Sequence, residues 1–254
     1  MVTTATPAPA APAPDSSNSL SRIFGVLFSP KVTFASIAAR PTWLLPVLLG
    51  VVVGLSVSFT MSKEIGWRMI VEKRIAQSAS AQKRMEQLTA DQRDNAIAQQ
   101  AKFTPYFVYP VNVIAPFVGA LLAAVIFLGA FNGIYGTKLT FRTSLGIVSY
   151  AWIPQLIYYI LCIPILFLKD PATVDIDNML ASNPGALLPD DAARWLVALL
   201  SSLDIFTIWT VILFAIGFSA TDTKKLSFSK AFTAVLLLWL FGVACKVGIA
   251  FAFS

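Results

Sequence analysis

The sequence predicts an all-α polytopic membrane protein: a bundle of five transmembrane helices with an amphipathic interfacial segment on its N-terminal side. Three observations carry this. Of 254 residues, 57% are apolar and 13% charged, about half the charged share of a soluble domain, which leaves too little polar surface to cover a globule in water. The apolar residues fall in runs long enough to cross about 30 Å of hydrocarbon at about 1.5 Å per residue. The charges collect between those runs. The excess of nineteen Lys and Arg over thirteen Asp and Glu, +6 in all, suits orientation in the bilayer and anionic headgroups rather than nucleic acid.

Residues 1–19 form an Ala/Pro-rich tract with Pro7, Pro9, Pro12 and Pro14 and a single charge, Asp15. Such a tract cannot bury a core and predicts a disordered tail; with no basic n-region and apolar core it does not read as a secretory signal. The membrane domain is expected over 20–253. In 20–40 the apolar positions are interrupted by Pro30 and carry Arg22, Lys31 and Arg40, while Ile23, Phe24, Leu27 and Phe28 share a helical face. Two short interfacial helices fit, with Phe24, Leu27 and Phe28 as the candidate anchor; a loop packed on the bundle is the other reading.

The five spans are placed at about 41–62, 105–135, 144–168, 195–220 and 231–253. Segment 63–104 differs, with eight basic and five acidic residues. There Thr89 followed by Gln92 is a capping-box pattern that predicts the start of a second short helix. An extramembrane helical hairpin and a mobile charged loop both fit. In 169–194 five aspartates, Asp170, Asp175, Asp177, Asp190 and Asp191, face two basic residues. Asp190 or Asp191 can cap the fourth helix; without EF-hand spacing the cluster reads as a solvated loop before it reads as a calcium site. The short basic loops favour a cytoplasmic N-terminus and, with five spans, a C-terminus on the opposite side.

Two ionisable residues fall inside spans, where they are costly. Asp204 is the tenth residue of the fourth run and Lys246 the sixteenth of the fifth. They make a candidate intramembrane pair, read either as a structural link between adjacent helices or as a proton- or substrate-linked carboxylate with its partner; Lys246 could instead snorkel. A candidate polar lining comes from Asn112, Asn132, Tyr150, Gln155, Tyr158 and Tyr159, on helices interrupted by Pro110, Pro116, Pro154 and Pro164. It reads as a ligand path or as interhelical hydrogen bonding. Gly50/Gly54 and Gly129/Gly133 are G-x-x-x-G patterns suited to close helix packing.

The chain has no histidine, which removes the commonest general base and metal ligand. A lone membrane aspartate cannot form an aspartyl dyad, and no phosphate loop is present. Cys162 and Cys245 lie in apolar runs without a C-x-x-C motif. The expectation is therefore no catalytic residue, no cofactor and no metal.

Three stretches, LFSPKVTFASIAARPTW, GTKLTFRTSLGIVSYAWIPQLI and LDIFTIWTVILFAIGFSATDTKKLSFSKAF, resemble in order and spacing the Yip-domain family of Ypt/Rab-interacting membrane proteins, in particular its bacterial branch. The resemblance implies five spans, a cytoplasmic N-terminus and, for a bacterial member, residence in the inner membrane. Eukaryotic members are associated with vesicle trafficking and membrane shaping. Their Asp-Leu-Tyr-Gly-Pro element is missing here, so the resemblance does not extend to direct Rab binding. The expected function is a non-enzymatic membrane scaffold or adaptor that organises a complex or membrane shape. The alternative is a small transporter or transport accessory using Asp204 and the polar path. Expected partners are membrane lipids and other membrane proteins, with homo-oligomerisation open and nucleic acid excluded.

Overall fold

The computed structural model describes residues 18–189 and 192–252. The predicted tail up to residue 17, the proposed caps Asp190 and Asp191, and the end of the fifth span at Phe253 lie outside the described residues. Eleven α-helices are found among the described residues. They are α1 (Ser19–Phe28), α2 (Pro30–Ala39), α3 (Leu44–Glu64), α4 (Trp67–Ala76), α5 (Ala79–Glu86), α6 (Ala90–Tyr135), α7 (Phe141–Ala151), α8 (Ile153–Leu168), α9 (Arg194–Ser202), α10 (Ile205–Ser219) and α11 (Phe228–Ala252). Four helical stretches are long and apolar enough to cross a bilayer, α3, α6, the α7–α8 unit and α11, and the bent pair α9–α10 makes a fifth. The chain is an all-α polytopic membrane protein.

The capping box forms: Thr89 Oγ1 accepts from Gln92 N at 3.3 Å and Gln92 Oε1 accepts from Thr89 N at 3.0 Å. The helix it opens is not the short one expected. It runs without a break for 46 residues, through Pro105, Pro110 and Pro116, into the second span, about 69 Å at 1.5 Å per residue. Each proline removes one donor, and an apolar helix with neighbours on its flank tolerates that loss. Residues 63–104 are thus two short helices, α4 and α5, folded back on the first part of α6. Arg68 pairs with Glu72 at 3.0 Å and with Asp94 across the turn. Those bonds, the one to Asp94 first, hold the exposed Arg68 guanidinium above its ordinary pKa.

The third span is kinked at Trp152, because Pro154 has no N–H for the carbonyl one turn back. The fourth, expected as one helix over 195–220, is broken at Leu203–Asp204 and bent by 50°. Its break has a specific cause in the Asp204 side chain, described below.

The core centres on α7, every residue of which from Ser144 to Ala151 is buried. Around it Phe127 and Phe131 of α6 stack with Phe214 and Phe218 of α10, the closest rings 4.5 Å apart. Helix α2 packs one face inward and leaves Lys31, Val32 and Ala35 exposed on the other. Phe34 and Ile37 are fully buried, because Gly217 and Gly146 let them in. A Cβ at Gly217 would meet Ile147 Cγ2 at 2.5 Å and Phe34 Cδ1 at 3.0 Å. A second cluster at the other end joins Val57, Ile70, Cys162 and Leu166 to Val174, Ile176 and Met179 of the loop after α8.

Candidate functional site

Two places combine polar chemistry with an exposed apolar surface. The first is built on α1. Its buried edge carries Arg22 and Val26, one turn apart. Arg22 is 4% exposed, and among the described residues it donates to neutral oxygens. Nη1 donates to Arg40 O at 2.8 Å and Thr42 Oγ1 at 3.0 Å, and Nη2 to Ser36 Oγ at 2.9 Å and Ser36 O at 3.3 Å. Tyr150 Oη lies 3.1 Å from Thr42 Oγ1 and donates to Ser19 O at 3.3 Å. These bonds fasten α1 to the end of α2 and to α7. The opposite edge then points outward: Leu20, Phe24 and Phe28 are 55%, 59% and 82% exposed, and their four-residue spacing makes one apolar ridge. Leu27 is half-buried and stands beside that ridge rather than on it.

The second place is a half-open groove of about 460 Å³ between α3, α6 and α8, with one end at Pro46 and the other at Met61, Arg74 and Met179. Its floor exists because α3 carries glycines one turn apart. A Cβ at Gly54 would meet Asn112 Oδ1 at 2.9 Å, and one at Gly50 would touch Pro116 and Leu156. Asn112 Nδ2 donates to Ser58 Oγ at 2.8 Å and Val108 O at 2.9 Å, which ties α6 to α3. Gln155 Nε2 donates to Thr207 Oγ1 at 3.2 Å, tying α8 to α10.

Of the six polar residues of the candidate lining, the groove brings together Asn112, Gln155 and Tyr159. The other three are elsewhere. Asn132 organises the α6–α7 turn, with Oδ1 accepting from Thr137 Oγ1 at 2.7 Å and Leu139 N at 2.9 Å and Nδ2 donating to Leu139 O at 2.9 Å. Tyr150 belongs to the α1 clamp. Tyr158 packs on the second cluster, its ring 5.7 Å from that of Phe206.

Asp204 and Lys246 form no ion pair; the ion pairs among the described residues are those of Arg68. Asp204 is the N-cap of α10. Its Oδ1 accepts from Phe206 N at 2.8 Å and Thr207 N at 3.2 Å, and its Oδ2 accepts from Ser182 Oγ. A carboxylate so engaged ends one helix and starts another, which is why the fourth span breaks there. It also takes Asp204 out of the groove wall, where the transport reading had it. Lys246 Nζ donates to Ser202 Oγ at 3.3 Å. Of the small-residue patterns, Gly50/Gly54 packs inside the bundle, while Gly129 and Gly133 face open space. Asp170 and Asp175 cap local turns through Ala172 N and Asp177 N.

In the sequence Arg22 reads as one of three charges in 20–40, with Lys31 and Arg40. Its signal was there: Arg22 and Val26 sit one turn apart, off the Leu20, Phe24, Phe28 edge, which put a cation on the buried side. Arg74 and Ser182 had no such signal, because what they face comes from distant segments.

A bundle of apolar helices with clamped N-terminal helices and a polar-lined lateral groove defines a multi-pass membrane protein. Residues 24–249 match the family model of the Yip1 domain, nearly the whole chain, and the chain belongs to the Yip1 family. No curated protein and no solved structure matches it.

Proposed function

We propose that this Yip1-family protein is a non-enzymatic scaffold that organises a membrane complex or the shape of the membrane around it, with its N-terminus in the cytoplasm. The observation that carries the reading is the ridge of Leu20, Phe24 and Phe28, held outward by the buried Arg22 clamp. A rigidly presented apolar edge suits insertion beside headgroups or contact with another membrane protein. The absence of histidine from the sequence supports a role without hydrolytic or metal chemistry. The transporter alternative has weaker support, since the Asp204 carboxylate is taken up by the α10 backbone and Ser182.

The test compares the full chain with a Phe24→Ser/Phe28→Ser variant, each extracted from native membranes in polymer nanodiscs and identified by mass spectrometry. The variant is expected to insert and fold as the parent does, yet to lose the proteins or lipids that copurify at near-equal stoichiometry. An unchanged set of copurifying molecules overturns the assignment to α1.

A further inference from the structure

We propose that the groove between α3, α6 and α8 is a binding site for one anionic glycerophospholipid, with the headgroup phosphate on Arg74 and an acyl chain along the glycines of α3. The inference is independent of the scaffold reading, which rests on α1.

The shape comes first. From Val47 to Met61 the groove follows fifteen residues of α3, a rise of about 21 Å at 1.5 Å per residue. That is most of one hydrocarbon thickness of about 30 Å and a fitting length for a long fatty acyl chain. Along this path Val47, Gly50, Val57, Pro116 and Leu156 offer a chain dispersion contacts, while the amide nitrogens of Asn112 and Gln155 and the hydroxyl of Ser149 in the same walls are engaged by Ser58, Val108, Thr207 and Leu145. The groove is half open, as the sideways entry of a lipid requires.

The chemistry changes at the α4 end. Arg74 lines the groove there, and among the described residues its guanidinium has neither a hydrogen bond nor an ion pair. Its neighbour Lys73 is committed to the loop after α8, donating to Ala172 O at 2.8 Å and Val174 O at 2.7 Å. That tether holds Ile176 and Met179, both buried, over the same end of the groove. Arg74 is thus left as a cation whose flat fork of donors matches the two free oxygens of a phosphodiester. Roughly one turn deeper stands Ser58, only 8% exposed. Its hydroxyl accepts from Asn112, and its own proton has no acceptor among the described residues. A donor at that depth below the phosphate sits where a glycerol ester carbonyl would lie. A cation at the rim, a hydroxyl one turn in and a long apolar trough are the sequence of groups along a phospholipid. The site belongs to the leaflet at the α4 end of α3, away from the short basic loops.

The test uses the full-length chain in mild detergent and native mass spectrometry, with phosphatidylglycerol and phosphatidylcholine of matched acyl chains as probes. The parent is expected to retain one phosphatidylglycerol and little phosphatidylcholine. Arg74→Gln, at an exposed and unpaired position, should fold normally and weaken phosphatidylglycerol retention at least about tenfold, the scale of one lost charge-assisted bond. Gly50→Leu, which fills the trough, should lower retention of both lipids. If Gly50→Leu fails to fold, the Arg74→Gln result decides. Equal retention of the two lipids by the parent, parental retention of phosphatidylglycerol by Arg74→Gln, or displacement of the lipid by millimolar inorganic phosphate overturns the proposal.

Discussion

The guanidinium of Arg22 donates to the main-chain oxygen of Arg40 at 2.8 Å, and this bond closes the α1–α2 hairpin from the inside. Because Arg22 is buried and also holds Ser36 and Thr42, it does for the hairpin what a hydrophobic staple could not: it gives the Arg40 carbonyl, just past the end of α2, a donor. Arg22→Met keeps the stem but takes the donor away from the Arg40 carbonyl, at about 1–3 kcal/mol. The expected outcome is a folded bundle with α1 released, seen as faster hydrogen exchange over residues 19–39. Arg22→Lys should recover only part of the protection, since an ammonium cannot reproduce the fork. Unchanged exchange in Arg22→Met would show that α1 is held by Val26 and its apolar neighbours alone.

A glycine decides how closely α2, α7 and α10 can approach. Gly217→Ala places a methyl 2.5 Å from Ile147 Cγ2 and 3.0 Å from Phe34 Cδ1, among side chains that are fully buried and cannot swing away. Overpacking of this kind costs about 1–3 kcal/mol. The thermal midpoint of the purified protein should fall, and Ile147→Ala, costly by itself, should cost less in the Gly217→Ala background than in the parent. The coupling between the two substitutions is the informative quantity. If the double variant shows only the sum of the single losses, the clash is not where the geometry puts it.

Asp204 separates structural from transport roles by the choice of replacement. Asn keeps an acceptor for Phe206 N and Thr207 N, whereas Ala removes it; loss of an N-cap costs about 0.5–2 kcal/mol. Asp204→Asn is therefore expected to stay close to the parent in thermal stability, and Asp204→Ala to fall clearly below it. Equal damage from both would mean that the negative charge, not the cap geometry, is what the fold requires there.

The same residue shows what the sequence could and could not convey. The apolar runs marked the spans because only long unbroken stretches survive the loss of water, and Thr89 with Gln92 marked the start of α6. Asp204 was visible as an anomaly but had two meanings, a charge inside one helix or a cap between two. An Asp immediately before Ile205 and a long apolar run is also the local signature of a helix start. Choosing between them needed Ser182, which arrives from the preceding loop. Pro110 and Pro116 pointed in the opposite sense, as apparent breaks in a helix that continues through them. The groove was half legible: Gly50 and Gly54 announced close packing, but Arg74 reaches the groove only through the fold of the α4 segment.

The α6–α7 turn offers the sharpest local test. Asn132 makes three bonds around it, to Thr137 Oγ1, Leu139 N and Leu139 O, and so replaces with one amide the partners that the end of α6 and the start of the next segment would otherwise lack. Gly136, at φ +60° just past the last turn, lets the chain reverse, but it supplies no bond to Leu139. In Asn132→Ala the buried Leu139 loses both backbone partners, and a loss of about 2–6 kcal/mol follows from two unsatisfied groups. Asn132→Asp keeps the acceptor for Thr137 and Leu139 N and forfeits only the donor to Leu139 O, so it should lose less than Asn132→Ala. Thermal unfolding of the two variants in the same detergent distinguishes the outcomes. Equal losses would place the weight of the turn on Gly136 and the buried side chain of Leu139 instead of on the amide.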